Sequence, residues 1–492
     1  MFYRKVSALN FIQLTGVFNA TTSKYDFAVE ETFFDDMGME YYMEVKDPSQ
    51  NKTRSPVTGN HLTRLKYSDA NVSIGITAGT TLSGYQIITV PFVEMASDQI
   101  GNLFEEFGAP DATKWRMLRY RHNPQAWEEY PSPLTTVERG VGYFVISKEG
   151  VTLKLGTVSA PTNTQSNLFQ LSLKQGWNLI GNPYTSTINW SDSKITGVGD
   201  LKVFTGGAYT TGNELKIFQG GFVFADAPIT VPVKLKTSAT GGRIRGSDYS
   251  ADIGNSNWIV PIRLEQKERH FMLGGIGMSE TARSTYDDLD DLAPPSLDGN
   301  LEIRFDHPEH FMKYFARDVV QTQDEYQWNF KVESDQQGLA DIKWDRDAFG
   351  SNSKELYLMD VTRQVVLDMR ASAHYTFDPK YSKKFRMYFG ENLLEKVKPE
   401  SVYLGRPFPN PTTGNSTIGF TLPESKAPYH VQLELFNSMG QRLAVPINGE
   451  MKPGFYTHVW DMENYNGLYF YRLTVNENGA LKILTEKIIV NK

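Results

Sequence analysis

Val431-Gln432-Leu433-Glu434-Leu435-Phe436-Asn437-Ser438-Met439-Gly440-Gln441-Arg442 decides the fold class of this 492-residue chain. Val431, Leu433 and Leu435 alternate with polar neighbours, which is the period of a strand with one face buried. The stretch 437–442 then brings Asn and Gly, which tolerate the backbone of a tight turn. Comparable units lie upstream: 202–205 before Gly206-Gly207, 221–225 before Pro228, and 354–360 with alternating Leu356 and Leu358. Short strands between turn signals, without interposed helical patterns of ~10–15 residues, predict an all-β chain of several tandem β-sandwich-like domains. One helix is expected at 96–107, where Ile100, Leu103, Phe104 and Phe107 share a face.

Composition agrees and narrows the function. Apolar residues at 40% and charged residues at 22% can bury cores, and the length suggests ~3–4 domains. Lys+Arg 50 against Asp+Glu 57 leaves a net charge of −7, which argues against a nucleic-acid partner. The absence of cysteine excludes disulfides, thiolate zinc sites and cysteine nucleophiles. Apolar runs such as 87–93 fall far short of the ~18 residues of a membrane helix, so no transmembrane segment is expected. Arg4 and Lys5 are followed by a segment broken by Asn10, Gln13, Thr15 and Asn19, which is no secretory apolar core. Met1 reads as a start within a longer polypeptide.

An internal repeat is visible. Gly84-Tyr85-Gln86-Ile87-Ile88-Thr89-Val90-Pro91-Phe92 aligns with Gly176-Trp177-Asn178-Leu179-Ile180-Gly181-Asn182-Pro183-Tyr184 at an offset of 92 (Gly84 to Gly176). Gly142-Tyr143-Phe144-Val145 then matches Gly221-Phe222-Val223-Phe224 at an offset of 79 (Gly142 to Gly221). Two copies are too few for a solenoid and predict a paired β module. The expected organisation is the end of a preceding β domain at 1–75 and a repeated module at 76–245, with copies at 76–158 and 168–240. A β-sandwich at 246–392, a polar linker at 393–402 and a final small antiparallel sandwich at 403–492 follow. The boundary before the second sandwich is placed near 241–250, where Gly241-Gly242 and Gly246-Ser247 break the pattern.

The last segment carries the most specific motifs. It opens Pro407-Phe408-Pro409-Asn410-Pro411-Thr412-Thr413-Gly414 and runs through the turn at Asn437, Gly440 and Gln441. Pro453-Gly454, Val459-Trp460-Asp461 and Gly467-Leu468-Tyr469-Phe470-Tyr471-Arg472-Leu473 follow, and the end is Lys487-Ile488-Ile489-Val490-Asn491-Lys492. In order and spacing this resembles the type A C-terminal sorting domain of type IX secretion cargo in Bacteroidota, although the 460–467 loop is shorter than usual. The resemblance rests on Pro409, Asn410, Pro411, Gly414, Asn437, Gly440, Gln441, Gly454, Trp460, Gly467, Tyr469 and Lys492. It implies export to the outer cell surface, with the type IX translocon and a sortase as partners of residues 403–492. In that family the domain is removed and the new C-terminus is anchored. Around the polar stretch 394–401, cleavage is expected between about 392 and 404, because an extended backbone suits a protease. Residues ~80–390 resemble non-catalytic regions that precede such tags.

Chemical candidates are few. Asp287, Asp288, Asp290 and Asp291 could gather oxygen ligands for calcium, but lack the spacing of an EF-hand and read first as a solvated loop. Asp306-His307-Pro308-Glu309-His310 has ligand-type residues, yet the two His stand three apart across Pro308 rather than four apart on a helix, so a turn is expected. The stretch 115–122 interleaves Trp115, Tyr120 and His122 with Arg116, Arg119 and Arg121, and reads as a strand edge guarded by Arg. Trp115, Trp127 and Tyr130 are candidates for stacking on a carbohydrate. Glu128 and Glu129 alternate faces on a strand and do not converge as a glycosidase pair would. No G-x-S-x-G elbow occurs.

The expectation is therefore a non-enzyme without cofactor beyond optional calcium. It reads as the C-terminal part of a secreted structural or adhesive surface protein, with a surface glycan or protein as ligand. The alternatives are the accessory tail of a secreted peptidase or glycosidase, or a carbohydrate-binding module.

Overall fold

Strands of alternating burial such as Trp258–Gln266, with wholly buried ones such as Tyr143–Ser147 and Gly220–Ala225, build the chain, which in the computed structural model divides into two compact units, Met1–Ser247 and Asp248–Lys492. The structure describes all residues except 7, 31, 32, 34–37, 64, 69–71, 123–125, 162–167, 237–255, 284, 285, 298–300, 311–313, 350, 351, 478 and 492, and the side chain of 477. The expected boundary at 241–250 lies outside the described residues, as does Lys492. The all-β class holds. No helix among the described residues is long and apolar enough to cross a membrane.

The first unit opens with a sheet of Phe2–Lys5, Ile12–Gln13, Met39–Lys46, Lys52–Ser55 and His61–Thr63. The strand Ser73–Ile76 does not belong to it. Ile74 and Ile76 point into the core of the first repeat copy, and the strand pairs with Val151–Lys154. That copy therefore begins before position 76, because its first strand is recognised by alternation and not by the Gly84 motif.

Each copy then builds a four-stranded sheet in the same order. In the first it is Gln86–Ile88, Tyr143–Ser147, Trp115–Arg121, Ala126–Glu129. In the second it is Gly176–Gly181, Gly220–Ala225, Leu201–Thr205, Ala208–Gly212. The helix expected at 96–107 shrinks to a turn at Ile100–Leu103 and a 3-10 turn at Glu105–Phe107, matched by Trp190–Ser193 in the second copy.

Strand register corrects the second repeat block. Ile88 pairs with Tyr143, whereas its counterpart Ile180 pairs with Gly221. The true offset is therefore 78 (Phe144 to Phe222), one less than the glycine match suggested. Gly220 and Gly221 both offer a glycine to align, but the pleat decides. A one-residue slip would turn Val223 out of its core and Phe222 into it.

With that register the copies meet about a pseudo-twofold axis. Thr89 N–H donates to Phe218 O at 3.1 Å, and the equivalent Gly181 N–H donates to Gly140 O at 2.9 Å. Between the sheets, Phe144 meets Phe204 at 5.0 Å, and Phe222 meets Tyr120 at 5.4 Å. Trp127 packs edge-on to Phe144 at 5.4 Å, and Tyr209 packs on Phe222 at 5.9 Å. Each contact has its symmetric twin.

The second unit holds a sandwich of a five-stranded and a six-stranded sheet, each a mixture of hairpins and longer connections. Its one parallel pairing among the named strands joins Arg269–Ser279 to Arg317–Gln321. Trp258 of one sheet meets Trp328 and Phe389 of the other at 5.9 and 5.0 Å.

A second sandwich follows. Tyr403–Leu404, Ser416–Leu422 and Gly454–Trp460 form one sheet, and Arg442–Met451, Tyr429–Asn437, Gly467–Glu477 and Ala480–Val490 form the other. Ile418, Phe420, Leu422, Val431, Leu433, Leu435 and Leu473 fill its own core. The stretch 393–402 is not an extended linker throughout. Leu393–Lys396 makes a helical turn, with Leu393 buried and its N–H donating to Glu355 at 2.7 Å, and Val402 is buried again. Three apolar residues buried in a polar stretch, Leu393, Pro399 and Val402, account for the difference.

Candidate functional site

In the final sandwich the motif residues serve its turns and its closure. Asn410 Nδ2 donates to Lys487 O at 2.7 Å, while Asn410 Oδ1 accepts from Ile489 N–H at 2.9 Å. Thr412 N–H donates to Ile489 O, and Asn491 N–H returns to Thr412 O, both at 2.9 Å. Pro409 and Pro411 restrict φ on either side of Asn410, which presents its amide to the last strand. Gly414 N–H closes the next turn on Thr412 Oγ1 at 3.2 Å. The domain's opening and its final strand are thereby stitched together.

At the hairpin, Asn437 Oδ1 accepts from Met439 and Gln441 N–H at 3.0 and 2.9 Å, and its Nδ2 donates to Gln441 Oε1 at 2.7 Å. Gly440 sits at φ +78°, a conformation that side chains resist. Gly454 and Gly467 open strands at φ +153° and +106°. Trp460 is half-buried against Tyr471 at 6.2 Å, and the Tyr469 hydroxyl donates to Asn466 O at 2.9 Å. These residues do not converge on one pocket. They are spread over the turns of one sandwich.

The acidic loop does not gather its carboxylates toward a common point. Asp287 accepts from Arg283 and Leu289 N–H, Asp290 from Asp287 and Val319 N–H, and Asp291 from Leu292 N–H, at 2.8–3.1 Å. Asp290 and Asp291 are buried, and Asp288 is exposed. Burial pushes the Asp290 carboxyl up to about 7, with Asp287 and Asp318 adding to the effect. The solvated-loop reading is thus corrected for Asp287, Asp290 and Asp291. Their oxygens cap backbone amides that would otherwise lack partners.

Beside this loop the turn after Leu301–Asp306 brings two histidines together. His307 and His310 stack on Phe315, at ring distances of 4.0 and 5.2 Å. His307 Nδ1 lies 2.9 Å from Glu309 Oε1, and its Nε2 lies 3.4 Å from buried Asp318. Burial would favour the neutral ring, but the bonds to Asp318 and Glu309 outweigh it and push His307 up to about 9. The turn expected from Pro308 is present, and within it the ligand-type atoms converge. Asp318 escaped the sequence reading because it stands on a separate strand, Arg317–Gln321. Its signal was an acid set directly before Val319 and Val320 on a short strand.

The strand Trp115–Arg121 is interior rather than an edge, since Tyr143–Ser147 and Ala126–Glu129 flank it. Its arginines are paired across the sheet. Arg116 bonds Glu129 at 2.7 and 2.9 Å, and Arg119 bonds Glu128 and Glu138, each at 2.7 Å. Trp115 is stacked between Phe107 and Tyr130, and Trp127 lies between the two copies. Neither Trp115 nor Trp127 offers a free face to a sugar. A polar groove of about 810 Å³ opens elsewhere on the repeated module, with Thr77, Thr81, Ser83, Gln86 and Gln219 among its lining residues.

A scan against protein-family models finds no match to the chain, and a search of curated proteins finds none either. Among solved structures it matches the dimeric latent PorU of Porphyromonas gingivalis at 11% identity, over 78% of this chain and 30% of that one, with a TM-score of 0.17. The chain spans under a third of that protein's length, and at this score the likeness carries no argument.

Proposed function

We propose that the chain is a non-catalytic, secreted surface protein whose residues 403–492 act as a type IX sorting domain, and whose other β modules serve as stalk or adhesive units. One observation carries the reading: the residues that match the sorting-domain pattern stitch, cap and turn a sandwich with a core of its own. An export signal must survive as a recognisable folded unit on very different cargo, and such closure provides that independence. The translocon and the sortase are the partners, and the outer cell surface is the destination. Fusing residues 403–492 to a periplasmic reporter in a type IX-competent cell tests it, since the reporter should reach the surface.

The modules upstream are proposed to lack hydrolase activity and to need no cofactor for this role. Turnover of generic peptides or glycans that one point substitution abolishes would contradict that. A surface glycan held in the polar groove at Thr77–Gln219 is a second reading, favoured by its hydroxyl and amide lining. Glycan-array binding by the full chain, lost in Gln86→Ala, would support it.

A further inference from the structure

We infer that His307, Glu309 and His310 form a zinc-binding site on the second unit. One ligand atom from each already lies within 4.8 Å of the other two. Glu309 Oε1 stands 2.9 Å from His307 Nδ1 and 3.6 Å from His310 Nε2. Zinc bonds of ~2.0–2.2 Å set the edges of a tetrahedron at roughly 3.3–3.6 Å, so the existing separations need adjustments of only a few tenths of an ångström along these two edges.

Three further features point to a ligand. His310 Nε2 is enclosed and hydrogen-bonds to nothing among the described residues, an unusual state for a shielded ring nitrogen. Phe315, itself buried, fixes both imidazole planes by stacking. Asp318 faces His307 Nε2 from a neighbouring strand, the arrangement in which a carboxylate orients a metal-bound histidine through its other nitrogen. Two imidazoles and one carboxylate suit zinc, whereas calcium and magnesium take oxygen ligands. Three protein ligands leave a fourth position for water or for a donor from a binding partner.

The test uses the full chain, stripped with chelator and titrated with zinc chloride by calorimetry, with retained metal measured by mass spectrometry. One equivalent of zinc is expected, undiminished by excess calcium. Glu309→Gln, at an exposed position, should weaken binding by about tenfold or more, and His310→Ala should abolish it. Asp318→Asn should weaken it by ~10–100-fold while keeping the stoichiometry, as a positioning residue does. Cobalt should give the intense visible bands of a tetrahedral site, absent in His310→Ala. Retention of no zinc by the intact chain, or unchanged affinity in both Glu309→Gln and His310→Ala, would overturn the site.

Discussion

The guanidinium of Arg363 lies over the ring of Phe408 at 4.5 Å, joining the larger sandwich of the second unit to the opening of the final one. Arg363 also donates to the Tyr375 hydroxyl at 2.8 Å, which holds it in place. The junction is therefore braced, and the segment available to a protease is shorter than 393–402. Lys398, Glu400 and Ser401 are exposed and belong to no helix or strand, whereas the neighbouring Leu393–Lys396 and Tyr403–Leu404 are structured. Cleavage is predicted at 397–401. Mass spectrometry of the mature C-terminus checks this, and an end upstream of 392 or downstream of 404 would contradict it.

Removing the brace should expose the segment more often. A cation–π contact is worth ~0.5–2 kcal/mol, so Arg363→Ala should raise the rate of limited proteolysis at 397–401 by roughly 2- to 30-fold. Circular dichroism should show both sandwiches still folded. An unchanged rate would mean that the contact does not hold the junction.

The pseudo-twofold relation makes a symmetric demand on stability. Phe144 and Phe222 are both fully buried and occupy equivalent places between the copies. Each Phe→Ala substitution should cost about 3–5 kcal/mol, and the two costs should agree within about 1 kcal/mol. Denaturant unfolding of the first unit checks it. A cost below about 1 kcal/mol for either would break the symmetry argument.

Asp290 gives a pH dependence with a definite sign. Its folded pKa, near 7, lies above the ordinary carboxylate value of 3.8, so its contribution is fully present below about pH 4 and is lost as pH rises through 7. Hydrogen exchange at Arg317–Gln321 should show the second unit weakening by on the order of 2 kcal/mol between about pH 4.5 and 6. Asp290→Asn should flatten that slope. His307, raised from 6.5 to about 9, adds a fall of its own only above about pH 6.5, so the slope below that pH reports Asp290. A slope that persists in Asp290→Asn would assign it elsewhere.

On the outer face of the final sandwich, Glu434 is buried between Arg442 at 3.2 Å and Arg472 at 2.7 Å. Arg472→Ala removes the closer partner and should destabilise this domain by about 1–3 kcal/mol, since a shielded carboxylate loses its main donor. Thermal unfolding followed through Trp460 hydrogen exchange reads the loss. No shift would show that Arg442 and water suffice.

Much of this architecture was legible in the sequence because alternation and turn chemistry are local properties. Val431, Leu433 and Leu435 read as one buried face and are one. The repeat was legible through its glycines, yet glycine identity fixed the second block one residue out of register. Only pairing with the opposite strand distinguishes Gly220 from Gly221. The acidic loop and the histidine turn were visible as residue types. Their roles depend on Val319, Asp318 and Phe315, which reach them from elsewhere in the chain. Long-range partners of that kind leave no periodic trace. The linker failed for a related reason, since Leu393 and Val402 bury themselves against surfaces that the linker's own composition does not mention.

The central claim is that residues 403–492 suffice for export. A folded periplasmic reporter carrying them, expressed in a type IX-competent cell, should become accessible to protease added outside intact cells, and the same reporter without them should stay protected. Full retention of the tagged reporter in the periplasm, in cells that still export their own cargo, would contradict the account.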